Sequence, residues 1–234
     1  MIHFSEFVHP VLDHGSVQLV RASPESNWIG AVADSARVSH LTARKRSSDE
    51  RLVRSLIQRR HVSTLSHVTM TWKVVLPIFV ARQWMRHWSW QYNEASARYS
   101  EMPDRFYVPE EENIGLQSAT EHQGRAEADP GIARTAREVI KESYEFAMLQ
   151  YRSLLSDGIS REVARIVLPV GLYTEFFATC SLRDWIFFLT QRMDSHAQWE
   201  IRQYANVMHD VVAEFIDATF MQLLDETMLV GVKK

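Results

Sequence analysis

The chain predicts an α+β fold in one domain, spanning residues 1–234, and three observations carry that expectation. Helix-period and strand-period apolar patterns alternate irregularly along it, with a few long strands among longer helices. No Pro/Gly/Ser linker or low-complexity tract divides the 234 residues, and nothing repeats at a fixed period. Apolar residues make up 46% of the sequence, enough to bury a sizeable core and to exclude intrinsic disorder.

The elements follow in order. Val17 to Ala22 reads as a strand and Ala31 to Val38 as a short helix. Ser47 with Glu50 three residues later forms a capping box, and Leu52, Val53, Leu56 and Ile57 continue at helical spacing to about Arg60. Val68, Met70, Trp72, Val74 and Leu76 alternate with more polar neighbours, the period of a strand with one buried face. Pro77 stops pairing and opens a helix from Ile78 to His87. Residues 101–135 are polar and Glu-rich, with Pro103, Pro109, Gly115 and Gly124; this is the expected mobile loop region and a candidate lid. Asp129 as cap and Pro130 in the first turn begin a long helix to about Asp157, which Gly158 is placed to end. A shorter helix from Arg161 to Leu168, a buried strand from Val170 to Thr179, a capped start at Ser181 and Asp184, and a last helix from Ser195 to about Asp225 complete the reading.

Composition excludes several functions. A single cysteine, Cys180, rules out a disulfide framework within the chain and a Cys-rich zinc site, and suits a reducing compartment. No run of apolar residues approaches a membrane span, and the N-terminus lacks a secretory pattern, so a cytoplasmic protein without membrane contact is expected. A formal net charge of −3 is too near neutral for a broad nucleic-acid surface. Eight glycines supply neither a dinucleotide-binding turn nor a phosphate loop. No HExxH or GxSxG occurs, and His61 and His67 lack a third metal ligand, so no metal is expected. Cys180 sits in FFATCSL with no cation beside it to lower its pKa, and reads as core filling.

Five lysines are outnumbered by 21 arginines. Coding-DNA composition accounts for such a global excess, so individual arginines are judged by position. The string QWMRHWSWQYNEASARYS, residues 83–100, concentrates Arg86, His87, Glu94, Ser96 and Arg98 among Trp84, Trp88, Trp90, Tyr92 and Tyr99. Such a mixture suits a site that grips phosphate with Arg and Ser while planar rings stack on indoles.

Those residues resemble the flavin-dependent thymidylate synthases (ThyX). The family signature is Arg-His-Arg, seven residues, then Ser; here Arg86, His87 and Trp88 are followed after seven residues by Ser96, Ala97 and Arg98. SARVSH (35–40), LPIFVARQW (76–84), YNEASARYS (92–100), REVARIVLP (161–169) and DSHAQWEI (194–201) extend the likeness over most of the chain. The resemblance implies a ThyX-like fold with a mixed or antiparallel sheet flanked by long helices. It also implies reductive methylation of uracil C5 in dUMP, with FAD, methylenetetrahydrofolate as carbon donor and NADPH as reductant, in a homotetramer whose active sites are shared between subunits.

Carried over by position, the resemblance places Gln83, Arg86, Ser96, Ala97, Arg98, Arg165 and Arg192 on the nucleotide, with Ser96, Arg98 and Arg165 suited to phosphate. Arg192 becomes the leading catalytic residue, favouring charge at N3 and O4 as C5 turns nucleophilic; its bland alternative is a salt bridge to Asp194 or Glu200. Ser39, Ser63, Arg86, His87, Glu94 and Arg183 match flavin-contacting positions, and His61 a position at the folate and nicotinamide entrance. Trp88 stands where the family has Arg, Gln91 where Ser is common, Ser66 for Glu, and Ser181 and Phe187 for Asn at the cofactor side. Ser181 reads equally as a helix cap. The drift leaves three readings: a thymidylate synthase with a reshaped flavin pocket, a UMP methylase as in nucleoside-antibiotic assembly, and a nucleotide-binding relative without flavin turnover.

Overall fold

In the computed structural model, residues 7–39, 47–216 and 218–227 are described; His40, the last residue of SARVSH, lies outside them. Five strands form one antiparallel sheet in the order β1 (His9–Val11), β2 (Gly15–Ser23), β3 (Thr69–Pro77), β7 (Tyr173–Ser181), β4 (Gln91–Glu94). The central pair β3 and β7 is in register over nine residues, from Thr69 opposite Ser181 to Pro77 opposite Tyr173.

Alternation along these strands decides which face is covered. Met70, Trp72, Val74 and Leu76 of β3 are buried on the same side as Phe176, Ala178 and Cys180 of β7 and Val17 and Leu19 of β2. Each such side chain contributes about 1.5–3 kcal/mol when removed from water. The helices α3 (Ile78–Trp84), α6 (Leu182–Arg192) and α7 (Trp199–Phe215) lie on this face. The opposite face carries the Thr71–Thr179 hydrogen bond and the Lys73–Glu175 ion pair at 3.1 Å, with Phe177 half-exposed.

The helix α1 (Trp28–Arg37) starts at Asn27, whose side chain accepts from the Gly30 N–H. Helix α2 (Asp49–Gln58) is capped by Ser48, one residue later than the sequence suggests, through the Arg51 N–H at 3.3 Å. A 3₁₀ turn, Val62–His67, follows it and is tied to α1 by Ser35.

Helix α3 ends at Trp84 rather than at His87. The Tyr92 hydroxyl occupies the carbonyls of Trp84 and His87, at 3.1 and 3.0 Å, and the chain turns there to enter the sheet as β4. That turn also corrects the picture of several indoles offered for stacking. Trp84 packs edge-on against Trp90, Phe176 and Tyr204 inside the core, and only Trp88 points outward.

Between 101 and 135 the chain forms a short 3₁₀ turn at Glu111–Asn113 and the hairpin β5 (Leu116–Gln117) and β6 (Arg125–Ala126). It is anchored at its start: Phe106 bridges to Leu172 and stacks on Tyr144, and the Tyr107 N–H donates to Gly171.

Asp129 caps α4 (Pro130–Ser156) as expected, through the Gly131 N–H at 2.8 Å. The helix ends with Gly158 at φ +80°, its N–H on Leu155 and that of Ile159 on Leu154, the paired bonds of a Schellman motif. One turn of helix, α5 (Arg161–Ala164), tightens to 3₁₀ over Arg165–Val167 instead of continuing to Leu168, since the residue before Pro169 disfavours helix. A second small core joins Met148, Tyr151, Ala164, Leu172 and Phe106.

The last long helix is two. After α7 the chain turns at Ile216, and α8 (Ala218–Thr227) packs Phe220, Leu223 and Leu224 into the main core, in contact with α2. No helix among the described residues is long and apolar enough to cross a membrane.

Candidate active site

The turn after α3 and the C-terminal end of α6 meet at one cleft of about 1200 Å³, lined by Gln83, Arg86, His87, Trp88, Phe187 and Arg192 together with Arg125 and Gln198. Residues more than 100 positions apart converge there because β7 pairs beside β3 and α6 folds back over the same face.

Arg192 is held by two acceptors. Its Nε donates to Nε2 of His87 at 3.0 Å, and its Nη2 donates to the Gln83 carbonyl at 3.0 Å. Among the described residues it has no carboxylate partner, so the salt bridge to Asp194 or Glu200 does not form. Asp194 instead accepts from the backbone and ring of His196, which hold its carboxyl below the usual carboxylate range. Arg86 is exposed and likewise has no ion pair among the described residues. Burial, then Arg86, lowers the pKa of Arg192 from its ordinary value, and a guanidinium stays charged regardless.

His87 is 4% exposed, and burial followed by the Arg192 charge pushes its pKa down to about 4. It is therefore neutral near pH 7, with Nε2 as acceptor and the proton on Nδ1. The cleft, whose lining also includes Asp194, thus presents two guanidinium groups that form no ion pair among the described residues, which suits a phosphate or an oxygen-rich ring edge. Trp88, 89% exposed, and Phe187, 54% exposed, flank the cleft as apolar planes, and the Phe187 ring lies 5.9 Å from that of His87.

The other expected positions fall elsewhere on this chain. The Ser96 hydroxyl accepts from the Arg98 N–H, and Arg98 pairs with Glu162 at 2.9 Å near the α5 turn that carries exposed Arg165. Ser96, Ala97, Arg98 and Arg165 do not line the cleft. Glu94 accepts from the Thr174 hydroxyl at 2.7 Å. Ser39, just past the end of α1, and His61 and Ser63, at the start of the 3₁₀ turn, are exposed. Ser181 caps α6, bonded in both directions to Asp184, and Arg183 pairs with the same carboxylate.

Cys180 is buried, and burial raises its thiol well above the ordinary pKa, so it offers no nucleophile. Among the described residues no three His, Cys, Asp or Glu side chains gather as a metal site. A second cleft of about 990 Å³, between the β5–β6 hairpin and the start of α7, carries Glu111, Glu112, Glu121 and Glu127 and is less suited to an anion.

Two residues lining the cleft, Arg125 and Gln198, had no site role in the sequence reading. Gln198 lies in DSHAQWEI, which marked the region, and Glu200 of the same segment was considered only as an ion-pair partner for Arg192. Arg125 sits in a Glu-rich stretch that gave no signal.

Residues 16–216 match the family model described as thymidylate synthase complementing protein. The chain belongs to the flavin-dependent thymidylate synthase family. It is 42% identical over 206 residues to the flavin-dependent thymidylate synthase of Thermotoga neapolitana, covering 88% of each chain. It is 39% identical over 225 residues to that of Dictyostelium discoideum, covering 92% of this chain and 73% of the relative. In structure it is similar to the UMP/dUMP methylase PolB of Streptomyces cacaoi. The complex with 5-Br dUMP superposes with TM-score 0.81 at 30% identity over 94% of this chain and 99% of that one. The complex with 5-Br UMP gives 0.82 at 32% over 95% and 98%. This flavin-dependent thymidylate synthase relative is thus a methyltransferase with the expected ThyX-like α+β fold.

Proposed function

We propose that the chain methylates uracil C5 in a pyrimidine 5′-monophosphate, with dUMP as substrate and UMP as the specialised alternative. The observation that carries this reading is the pair Arg86 and Arg192, two guanidiniums that find no carboxylate partner among the described residues and face one cleft beside a neutral imidazole. Arg192 is the catalytic residue. With Nε and one Nη2 hydrogen held by His87 and Gln83, its remaining N–H groups stabilise the charge that builds on the pyrimidine oxygen and N3 as C5 becomes nucleophilic. Its two protein partners fix the fork in advance, so orientation is not lost from binding energy.

The exposed planes of Trp88 and Phe187 and the free charge of Arg86 fit a flavin, taken here as FAD. Hydride for the pyrimidine would come from the reduced flavin held there, so an inert Cys180 is no obstacle. Methylenetetrahydrofolate as carbon donor and NADPH as reductant complete the proposed reaction. Arg86, His87, Trp88 and Phe187 hold the ring system; Ser39, His61, Ser63, Glu94 and Arg183 are assigned to cofactors reaching the site from the outside.

Ser96, Ala97, Arg98 and Arg165 are assigned to the nucleotide, with Ser96, Arg98 and Arg165 on its phosphate, from a neighbouring subunit of a homotetramer. Two features support this. The group stands outside the cleft of its own chain, and α4 leaves Ile132, Val139, Phe146 and Leu149 exposed at spacings that recur along one side of the helix.

The UMP alternative is favoured by one finding, the likeness to a methylase bound both to 5-Br dUMP and to 5-Br UMP. Steady-state turnover of dUMP against UMP, with folate and NADPH supplied, tests both. Product from either nucleotide supports methylation, with the faster one naming the substrate. A protein that binds nucleotide, gains no flavin spectrum and yields neither product would be the relative without flavin turnover.

A further inference from the structure

Glu200, in the first turn of α7, is 4% exposed. Its Oε1 accepts from the Tyr107 hydroxyl at 3.4 Å and from Arg125 at 3.5 Å, and its Oε2 accepts from Nε2 of Gln198 at 2.8 Å. A carboxylate only accepts. Gln198 must therefore turn its amino group toward Glu200 and its carbonyl oxygen away, and that oxygen accepts from Nε2 of Gln83. Gln83 in turn spends one of its two amide hydrogens on Gln198, and its Oε1, which takes no donor among the described residues, is turned away from Gln198 as the acceptor Gln83 can offer to the cleft it lines.

We infer that Glu200, acting through Gln198, fixes the hydrogen-bond polarity of Gln83, so that the cleft selects a nucleotide presenting a donor at that point: the imide N–H of the ring or a hydroxyl of the sugar. The inference rests on the nucleotide reading above and deepens it. Glu200 touches no reacting atom and is a positioning residue. An amide alone is indifferent to a flip, since its two ends exchange donor for acceptor at little steric cost. A chain of two amides ending on a buried anion is not indifferent, because reversing either one sets oxygen against oxygen. Arg125 and Tyr107 keep that anion compensated, and Arg125 brings the β5–β6 hairpin to the same point through the Asn113 carbonyl.

The test is a binding cycle on the full flavin-loaded chain, by calorimetry. Four ligands are compared: dUMP; dCMP, whose N3 accepts instead of donating; the 3′-deoxy analogue of dUMP; and UMP, which adds the 2′-hydroxyl. For wild type, the ligand pair that differs in the donor facing Gln83 should differ in Kd by roughly 10-fold or more. Glu200→Gln can rotate its amino group toward Gln198 and so reverse both amides; that one ratio should then collapse toward unity or invert while the others stay. Gln198→Met breaks the relay at the cost of the Oε2 hydrogen bond while leaving the Glu200 carboxylate its Arg125 and Tyr107 partners, should collapse the same ratio, and decides the matter if Glu200→Gln does not fold. A merely structural role would weaken all four ligands alike.

All ratios unchanged in a folded variant, or no donor preference in wild type, would overturn the inference while leaving the nucleotide reading intact. Wild type that binds none of the four overturns the nucleotide reading and this inference with it.

Discussion

Nε of Arg192 donates to Nε2 of His87 across 3.0 Å, joining residues 105 positions apart. A hydrogen bond from a cation to an imidazole fixes the tautomer of the ring and keeps it neutral, because a second proton would place like charges in contact. The pairing therefore aims the guanidinium and holds the histidine uncharged with one interaction.

Replacing Arg192 with Ala should lower methylation at least ~100-fold, the scale of a lost transition-state donor. The flavin absorbance of the variant should persist, since Trp88, Phe187 and Arg86 remain. Retained turnover in a stopped assay would remove Arg192 from the chemistry.

The depressed pKa of His87 predicts a pH dependence of stability. The unfolded chain binds the proton near pH 6.5 and the native protein only near pH 4, so the unfolded state holds more protons between these values. Stability from this group is complete above about pH 6.5 and falls as pH drops toward 4. Urea midpoints across that window should decline less steeply for His87→Gln, which keeps an acceptor but does not titrate. Equal slopes would contradict the assignment.

Ser181→Ala should cost about 1 kcal/mol of stability, the usual loss of a helix cap, because Ser181 both accepts from and donates to Asp184. Flavin affinity should be unchanged. A selective loss of flavin with an unaltered melting temperature would instead make Ser181 a cofactor residue.

Trp88→Ala should weaken flavin binding by roughly 3- to 10-fold, the range of one aromatic stacking contact, with little effect on stability because the indole is almost wholly exposed. Flavin titration by fluorescence reads the change. Trp84→Ala, by contrast, removes a fully buried ring and should cost about 3–5 kcal/mol. The two substitutions separate the indole that lines this cleft from one that packs the core.

Much of this molecule was legible from residue order because the signals are local. Alternation named β3 and its buried face, and Asp129 with Pro130 and Gly158 bounded α4 through bonds made within a few residues. The string around Arg86 also marked the site, since so many donors among aromatics do not suit either a plain core or a solvated face.

What tertiary structure decided involves partners far apart in the chain. The end of α3 at Trp84 depends on a tyrosine eight residues on, and the turn before α8 carries no glycine or proline to announce it. Arg125 and Glu200 meet across 75 positions, and neither residue alone distinguishes a surface charge from a buried one. Residue order by itself determined the fold class, the main elements and the cationic character of the site. Folding decided which cations lost their counter-ions and which amide faces the cleft, because burial and hydrogen-bond direction are properties of the assembled neighbours, not of any one side chain.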